Sequence, residues 1–395
     1  MIFERSGARF REGRMMLSNS STNARLVIFL SLILAGTAAA AHAPTSLKDA
    51  FKGDFVIGAA LNAAQISGQD ARGDAIVTSQ FSTISPENVL KWLLVHPQPD
   101  KYDFALPDQY VAFGQKHHMF IVGHNLVWHN QIPAWVFHDD KGNLLTRDAL
   151  LARMRDHIHT VVGRYKGKIQ SWDVVNEALN EDGTMRDSLW HKIIGDDYIE
   201  KAFQYAHEAD PQAQLTYNDY NLENEPKRKG AIALMKKLLA EGIPITSIGL
   251  QNHDNLTFPS VEQEDATISA FEALGLKVVI SELDINLLPK GGLQPTADVT
   301  LKIDPAKGLD PYAKGLPDEV QQQLAARYAE LFRVFLKHRG TITRVTFWNV
   351  ADGDSWLNDW PVAGRKNYPL LFDREDKPKP AFDAVLRVAA EKQPH

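Results

Sequence analysis

The apolar positions along the chain fall into short runs that end abruptly in polar and aromatic residues. Residues 169–177, Ile-Gln-Ser-Trp-Asp-Val-Val-Asn-Glu, are one such run and close on Asn176-Glu177. Residues 276–285 are another, in which Ile280, Glu282 and Asp284 share one face by the period of two. Further runs of this kind lie at 55–62, 80–85, 119–129, 214–220, 247–253 and 342–348. Between them the spacing becomes helical, at 106–118, 146–165, 198–209, 227–239, 261–274 and 316–338, with 380–391 closing the chain. Thr146 is placed to cap one helix, Asp210-Pro211 to stop a second and Gly275 to end a third.

Strands alternating with helices predict a parallel sheet. Polar and aromatic residues at the strand carboxyl ends favour a closed α/β (β/α)8 barrel over an open doubly wound sheet. A single domain, residues 44–395, is expected. The long Gly- and Pro-rich stretch 286–316 follows the seventh strand and is expected on the active-site face.

The first 43 residues read as a targeting segment. Arg5, Arg9, Arg11, Arg14 and Arg25 precede the apolar run 26–35, and Ala41-His42-Ala43 fits a cleavage site. That run is short for a membrane span. Export to the periplasm or the medium is therefore expected, with no membrane association after cleavage; Met15 and Met16 offer alternative starts. The chain carries a formal charge of −6, and loss of the Arg-rich leader makes the remainder more acidic still. Nucleic acid and anionic membrane surfaces are thus poor partners. The absence of cysteine excludes disulfides, a thiol nucleophile and a Cys-based metal site. A monomer is expected.

The strand ends supply Glu87, Asn88, Lys91, His124, Trp128, Asn176, Glu177, Gln251, His253, Glu282, Asp284, Trp348 and Trp356. Taken singly, each has an ordinary alternative as a core, capping or solvated residue. Their recurrence on successive strands points to a site. Two strand-end carboxylates about a hundred residues apart suit glycosidic cleavage, which needs a proton donor and an opposed carboxylate. Tryptophan faces offer platforms to sugar rings, and Asn, Gln, His and Lys offer directed hydrogen bonds to hydroxyls. No spacing demands a metal, and no Walker A loop or dinucleotide fingerprint is present, so no metal or cofactor is expected.

Trp172-Asp-Val-Val-Asn-Glu177-Ala, Ser281-Glu282-Leu-Asp284-Ile and Gly123-His124-Asn-Leu-Val-Trp128-His129 resemble glycoside hydrolase family 10, the endo-β-1,4-xylanases. So do Pro86-Glu87-Asn88 with Lys91-Trp92, Tyr217-Asn-Asp-Tyr-Asn, Gln251-Asn-His253 and the run from Thr346 to Trp356. The matches occur in order and cover residues 47–390 or so. The resemblance implies a retaining mechanism on xylan and xylo-oligosaccharides, with Glu177 as acid/base and Glu282 as nucleophile. Asn176 would bond the sugar 2-hydroxyl; His253 would bond Glu282 and be oriented by Asp284. Glu87, Asn88, Lys91, His124, Trp128, Gln251, Trp348 and Trp356 would line the glycone subsites, with Tyr217 and Asn218 toward the leaving group. Three positions depart from the family pattern: Asn349 stands where a small residue is usual, Asp254 where a less acidic one is, and Ser281 where Thr is.

A retaining β-1,4-glucanase on the same barrel competes with this reading, but the second- and eighth-strand motifs oppose it. A non-catalytic xylan-binding relic would not need both glutamates. A barrel lyase or aldolase would want a Schiff-base lysine or metal ligands at the strand ends, and Lys91 is the one lysine near them in these motifs. Cleavage after Ala43 would leave Pro44 as the first residue of the exported protein. N-terminal sequencing checks this, and a retained Met1 or Met15 would refute it.

Overall fold

The computed structural model describes residues 46–289, 299–304 and 308–391. The targeting segment 1–43 and parts of the stretch 286–316 lie outside the described residues. Nine strands are present among the described residues: β1 Val56–Leu61, β2 Thr83–Pro86, β3 Phe120–Val127, β4 Ser171–Asn176, β5 Gln214–Asp219, β6 Ser247–Leu250, β7 His253–Asn255, β8 Lys277–Asn286 and β9 Ile342–Phe347. All pair in parallel. Each strand pairs with the next from β1 to β6, then β6 pairs with β8, β8 with β9 and β9 with β1. The sheet closes on itself as the predicted eight-stranded (β/α)8 barrel, and β7 is a short addition paired to the far end of β8.

The strands are buried on both faces, which is why they read as continuous apolar runs rather than alternating ones. Helices 105–116, 147–164, 198–209, 225–240, 261–272, 318–337 and 380–391 lie between or after the strands. Helix 198–209 shows how they dock. Ile199, Ala202, Phe203 and Ala206 recur at helical spacing and are buried. Thr146 caps its helix as expected, through Ala149 N–H. Ser260 and Gln263 form a reciprocal capping box at the start of helix 261–272; such a cap contributes about 1 kcal/mol.

Several elements were not legible in the pattern, among them four short helices, at Leu47–Ala50, Ala63–Ile66, Trp92–Val95 and Leu189–Ile194, and the two that follow. Helix 71–80 buries only Gly73, Ile76 and Val77, too few for an apolar stripe, and is set by its Asp70 cap. The predicted strand 247–253 breaks after Leu250, because Asn252 adopts φ 53°, and resumes as β7. That break carries His253 outward to the rim beside Asp284.

Close packing inside the barrel depends on glycine at two positions. A Cβ on Gly58 of β1 would lie 1.8 Å from the Thr83 carbonyl oxygen of β2, and one on Gly123 would lie 2.1 Å from the Trp172 ring. Gly58→Ala is expected to destabilise the fold by about 3 kcal/mol or more, because backbone must move to admit the methyl group. Gly163→Ala is the control. It sits in a helix with nothing within 4 Å of the new Cβ, so a gain of up to about 1 kcal/mol is expected. Thermal and urea unfolding of the two variants would show the opposite signs.

Candidate active site

The cleft lies at the carboxyl ends of the strands, with a volume of about 490 Å³, within the range of small-ligand sites. Glu87, Asn88, Lys91, His124, Trp128, Asn176, Glu177, Gln251, His253, Glu282, Trp348 and Trp356 all line it. Backbone conformation helps aim these groups. Gln131, Glu177, Asn252 and Asn349 all have positive φ, at 46°, 58°, 53° and 95°. Each costs a non-glycine residue conformational energy, which surrounding contacts must offset.

Glu282 is 5% exposed. Its Oε2 lies 3.2 Å from His253 Nε2, and its Oε1 accepts from Asn218 Nδ2 at 2.7 Å. His253 Nδ1 is 3.1 Å from Asp284 Oδ2, and the same oxygen accepts from Trp356 Nε1 at 2.7 Å. Burial opposes a charged imidazole, yet Asp284 and Glu282 outweigh it and push His253 up to about 10. At neutral pH His253 is therefore an imidazolium. Burial would also raise the Glu282 carboxyl, but the His253 hydrogen bond and the charges of His124, His253 and Lys91 bring it below the usual range. Glu282 is held as a carboxylate.

Glu177 meets the opposite field. Burial raises its carboxyl first, the Asp219 charge adds to this, and Glu282 adds a little more. Hydrogen bonds from Gln251 Nε2 (3.1 Å), Trp128 Nε1 (2.8 Å) and Asn176 Nδ2 (3.1 Å) orient it. Those from Gln251 and Trp128 offset only part of the rise. The two carboxyls are linked through amides, since Asn218 Nδ2 also donates to Asn176 Oδ1 at 2.9 Å. One cleft thus holds one carboxyl whose pKa is raised and one whose pKa is lowered, the kind of split that acid/base and nucleophilic chemistry uses.

A polar wall stands beside the pair. Lys91 Nζ donates to Asn88 Oδ1 at 3.0 Å and Gln131 Oε1 at 2.8 Å, and lies 4.9 Å from the Trp128 ring centre. Burial lowers its pKa, against the pull of Glu282, Glu87 and Glu177. His124 Nδ1 is 2.9 Å from Asp173 Oδ2, and the His124 ring meets Trp348 edge-on at 5.2 Å. Trp348 and Trp356 supply flat apolar walls.

Two expected subsite residues do not reach the cleft. Tyr217 is fully buried, and its hydroxyl donates to Asp219 Oδ2 at 2.5 Å. Asn218 is also fully buried and supports Glu282 from behind. Asn218 is level with Asn176 of β4, so it is the inward burial of these two side chains that keeps them out of the cleft lining. The unusual positions also find places. Ser281 Oγ donates to Asn218 Oδ1 at 2.6 Å, so any hydroxyl residue serves there. Asn349 takes a left-handed conformation and accepts from Trp356 N–H at 3.3 Å. Asp254 points away from the cleft; burial and the neighbouring Glu223 push its carboxyl well up, with Arg327 at 3.7 Å.

The cleft also draws on Asn130, Gln131, Val299, Thr300 and Trp360, none of which the strand-end pattern identified. Val299 and Thr300 come from the long stretch after β8. Gln131 follows Trp128-His129 closely enough to have been suspected; Trp360 stands 4.5 Å from Trp356, ring centre to ring centre, and carried no sequence signal.

Known proteins with this architecture are numerous. Endo-1,4-beta-xylanase A of Xylanibacter ruminicola is 42% identical over 359 residues, covering 91% of this chain and 97% of that protein. The solved structure of an endoxylanase of family 10 retrieved from sugarcane soil metagenome superposes with a TM-score of 0.85 at 45% identity, covering 87% of this chain and 100% of that one. A further solved structure, a mutant in complex with xylotriose, matches with a TM-score of 0.77 at 36% identity over 87% of this chain and 99% of its own. The profile of glycosyl hydrolase family 10 matches residues 46–388. With the barrel, the paired carboxyls and this match over most of its length, the chain belongs to glycosyl hydrolase family 10.

Proposed function

We propose that the protein is an exported endo-1,4-β-xylanase that cleaves xylan with retention, using Glu177 as acid/base and Glu282 as nucleophile. The observation that carries the reading is a pair of carboxyls on one cleft whose surroundings push them in opposite directions, Glu177 up and Glu282 down. In the first step Glu282 attacks the anomeric carbon while Glu177 protonates the departing oxygen. In the second, Glu177 takes a proton from a water whose oxygen bonds to the anomeric carbon, and the bond between the sugar and Glu282 breaks to restore the carboxylate. The Asn176–Asn218 bridge supports a short carboxyl separation, about 5–5.5 Å in retaining enzymes. Bulky Trp348 and Trp356 leave little room for a hexose hydroxymethyl group, which favours xylan over glucan. Family membership and the xylanase relatives support the same substrate. The Arg-rich leader supports export.

Residues 44–395 are expected to release xylo-oligosaccharides from glucuronoxylan and little sugar from carboxymethylcellulose. Glu282→Gln should abolish release, and Glu177→Gln should lower kcat by about 10²–10⁴ on xylan. Dominant cellulose cleavage would move the protein to the glucanase reading; a folded protein that binds xylan without cleaving it would indicate a relic. Proton NMR should detect the β anomer first, and an initial α anomer would refute retention.

The pH profile follows from the same electrostatics. The acid limb reports ionisation of Glu282 and the alkaline limb reports deprotonation of Glu177. His253→Asn removes the imidazolium and leaves burial of Glu282 less opposed, so its pKa rises. The acid limb of kcat/KM should then move up by about one to two pH units, with the alkaline limb nearly unchanged. An unmoved acid limb would show that His253 does not govern the nucleophile.

A further inference from the structure

Behind Glu177, on the side away from the sugar cleft, lies a buried cluster that the reaction described above does not use. Asp219 ends β5 and Lys227 sits in the first turn of helix 225–240; both side chains are fully buried. Lys227 Nζ is 2.9 Å from Asp219 Oδ1 and 3.2 Å from Glu181 Oε1, and stands 3.7 Å from the centre of the Tyr220 ring. Asp219 also accepts from Tyr217 Oη at 2.5 Å and from the Tyr220 N–H at 2.9 Å. Four ligating groups around one buried pair hold it in place far more tightly than a surface ion pair could be held.

The cluster is tied to Glu177 by backbone as well as by field. The Glu177 N–H donates to the Asn218 carbonyl at 2.8 Å, one residue from Asp219. Arg186 Nε donates to the Glu177 carbonyl at 3.0 Å, and Arg186 Nη2 donates to the Tyr220 hydroxyl at 3.1 Å. Glu181 and Arg186 belong to the loop that follows Glu177. Lys227 therefore staples that loop to the end of β5, and Glu177 lies between the two.

We propose that the buried Asp219–Lys227 pair is a positioning and charge-balancing device for Glu177. Asp219 follows Asn218, whose carbonyl holds the Glu177 N–H, and its charge acts on the Glu177 carboxyl; Lys227, on the helix, is paired with Asp219 and Glu181. Such a charge acts strongly because Coulomb energy is large where water is excluded. An anion beside Glu177 disfavours a second anion, so the acid keeps its proton until the glycosidic oxygen needs it. Lys227, paired with Asp219 at 2.9 Å, limits the effect. The other ionisable groups facing Glu177 are Glu282, Lys91, Arg186 and Tyr220. Those facing Lys227 are Asp219, Tyr220, Glu181 and Glu223. Burial and then Asp219 are the two largest influences that raise the Glu177 carboxyl. This inference rests on Glu177 being the acid/base.

The two members of the pair make opposite predictions, which a purely structural role would not. Asp219→Asn keeps the shape and removes the anion, so the alkaline limb of kcat/KM should move down by about one pH unit. Lys227→Met leaves Asp219 uncompensated, so the limb should move up. Glu181→Gln, at a half-exposed position that the fold tolerates, removes a more distant anion and should move the limb down by less. Circular dichroism and melting identify the folded variants, and Glu181→Gln keeps the test available if the buried variants fail to fold. A limb that stays in place in every folded variant, or moves the same way in Asp219→Asn and Lys227→Met, overturns the inference. Glu177→Ala, assayed on an aryl xyloside whose leaving group needs no protonation, separates the two levels. Loss of the alkaline limb there supports Glu177 as its source. A limb that persists overturns the acid/base reading, and this inference with it.

Discussion

The site depends on keeping one carboxylate charged where water is largely excluded. A buried anion is costly unless it is paired and hydrogen-bonded. Glu282 meets that cost through groups from three strands, Asn218 from β5 (itself held by Ser281), His253 from β7 and His124 from β3, together with Lys91. His253 can serve only because Asp284 lies on its other side, and Asp284 is in turn fixed by Trp356. The imidazolium is thus a bridge between two carboxylates, and its charge survives burial because of both. The break in the sixth strand at Asn252, which sends β7 to the rim, is the backbone feature that brings this bridge within reach.

Glu177 sits across the same cleft, and its carboxyl is bonded by no cationic side chain among the described hydrogen bonds. Its hydrogen bonds come from neutral donors, Gln251, Trp128 and Asn176, and the nearest charges that matter most are negative. Donors that orient an acid without neutralising it let the proton stay. The barrel makes this possible because successive strands deliver independent side chains to one rim. Two carboxyls can then be neighbours and still have different surroundings.

Much of the fold was legible because its causes are local. Strands buried on both faces must be continuous apolar runs, helices against them must carry one apolar stripe, and caps such as Thr146 announce themselves by residue type. Alternation of the two fixes the barrel class. Weakly apolar helix 71–80 and the division of the sixth strand escaped, since the first is set by a cap and the second by a left-handed residue that many loops share.

The chain by itself determined the eight strands and most of the helices between them, the family, and the pair Glu177 and Glu282 with most of the residues around them. These follow from side-chain types at strand ends, and a strand end has one place to go in a parallel barrel. Tertiary structure alone decided how deep each residue lies and which charges face one another. Tyr217 and Asn218 belong to a motif at the rim in sequence, yet both side chains are fully buried, Tyr217 against Asp219 and Asn218 against Glu282. Val299 and Thr300 join the cleft from the long stretch expected on that face, though nothing singled out these two residues, and Trp360 joins it from a segment with no pattern. The protonation states are likewise tertiary, because burial and Coulomb interaction depend on distances through space, which residue spacing along the chain does not encode.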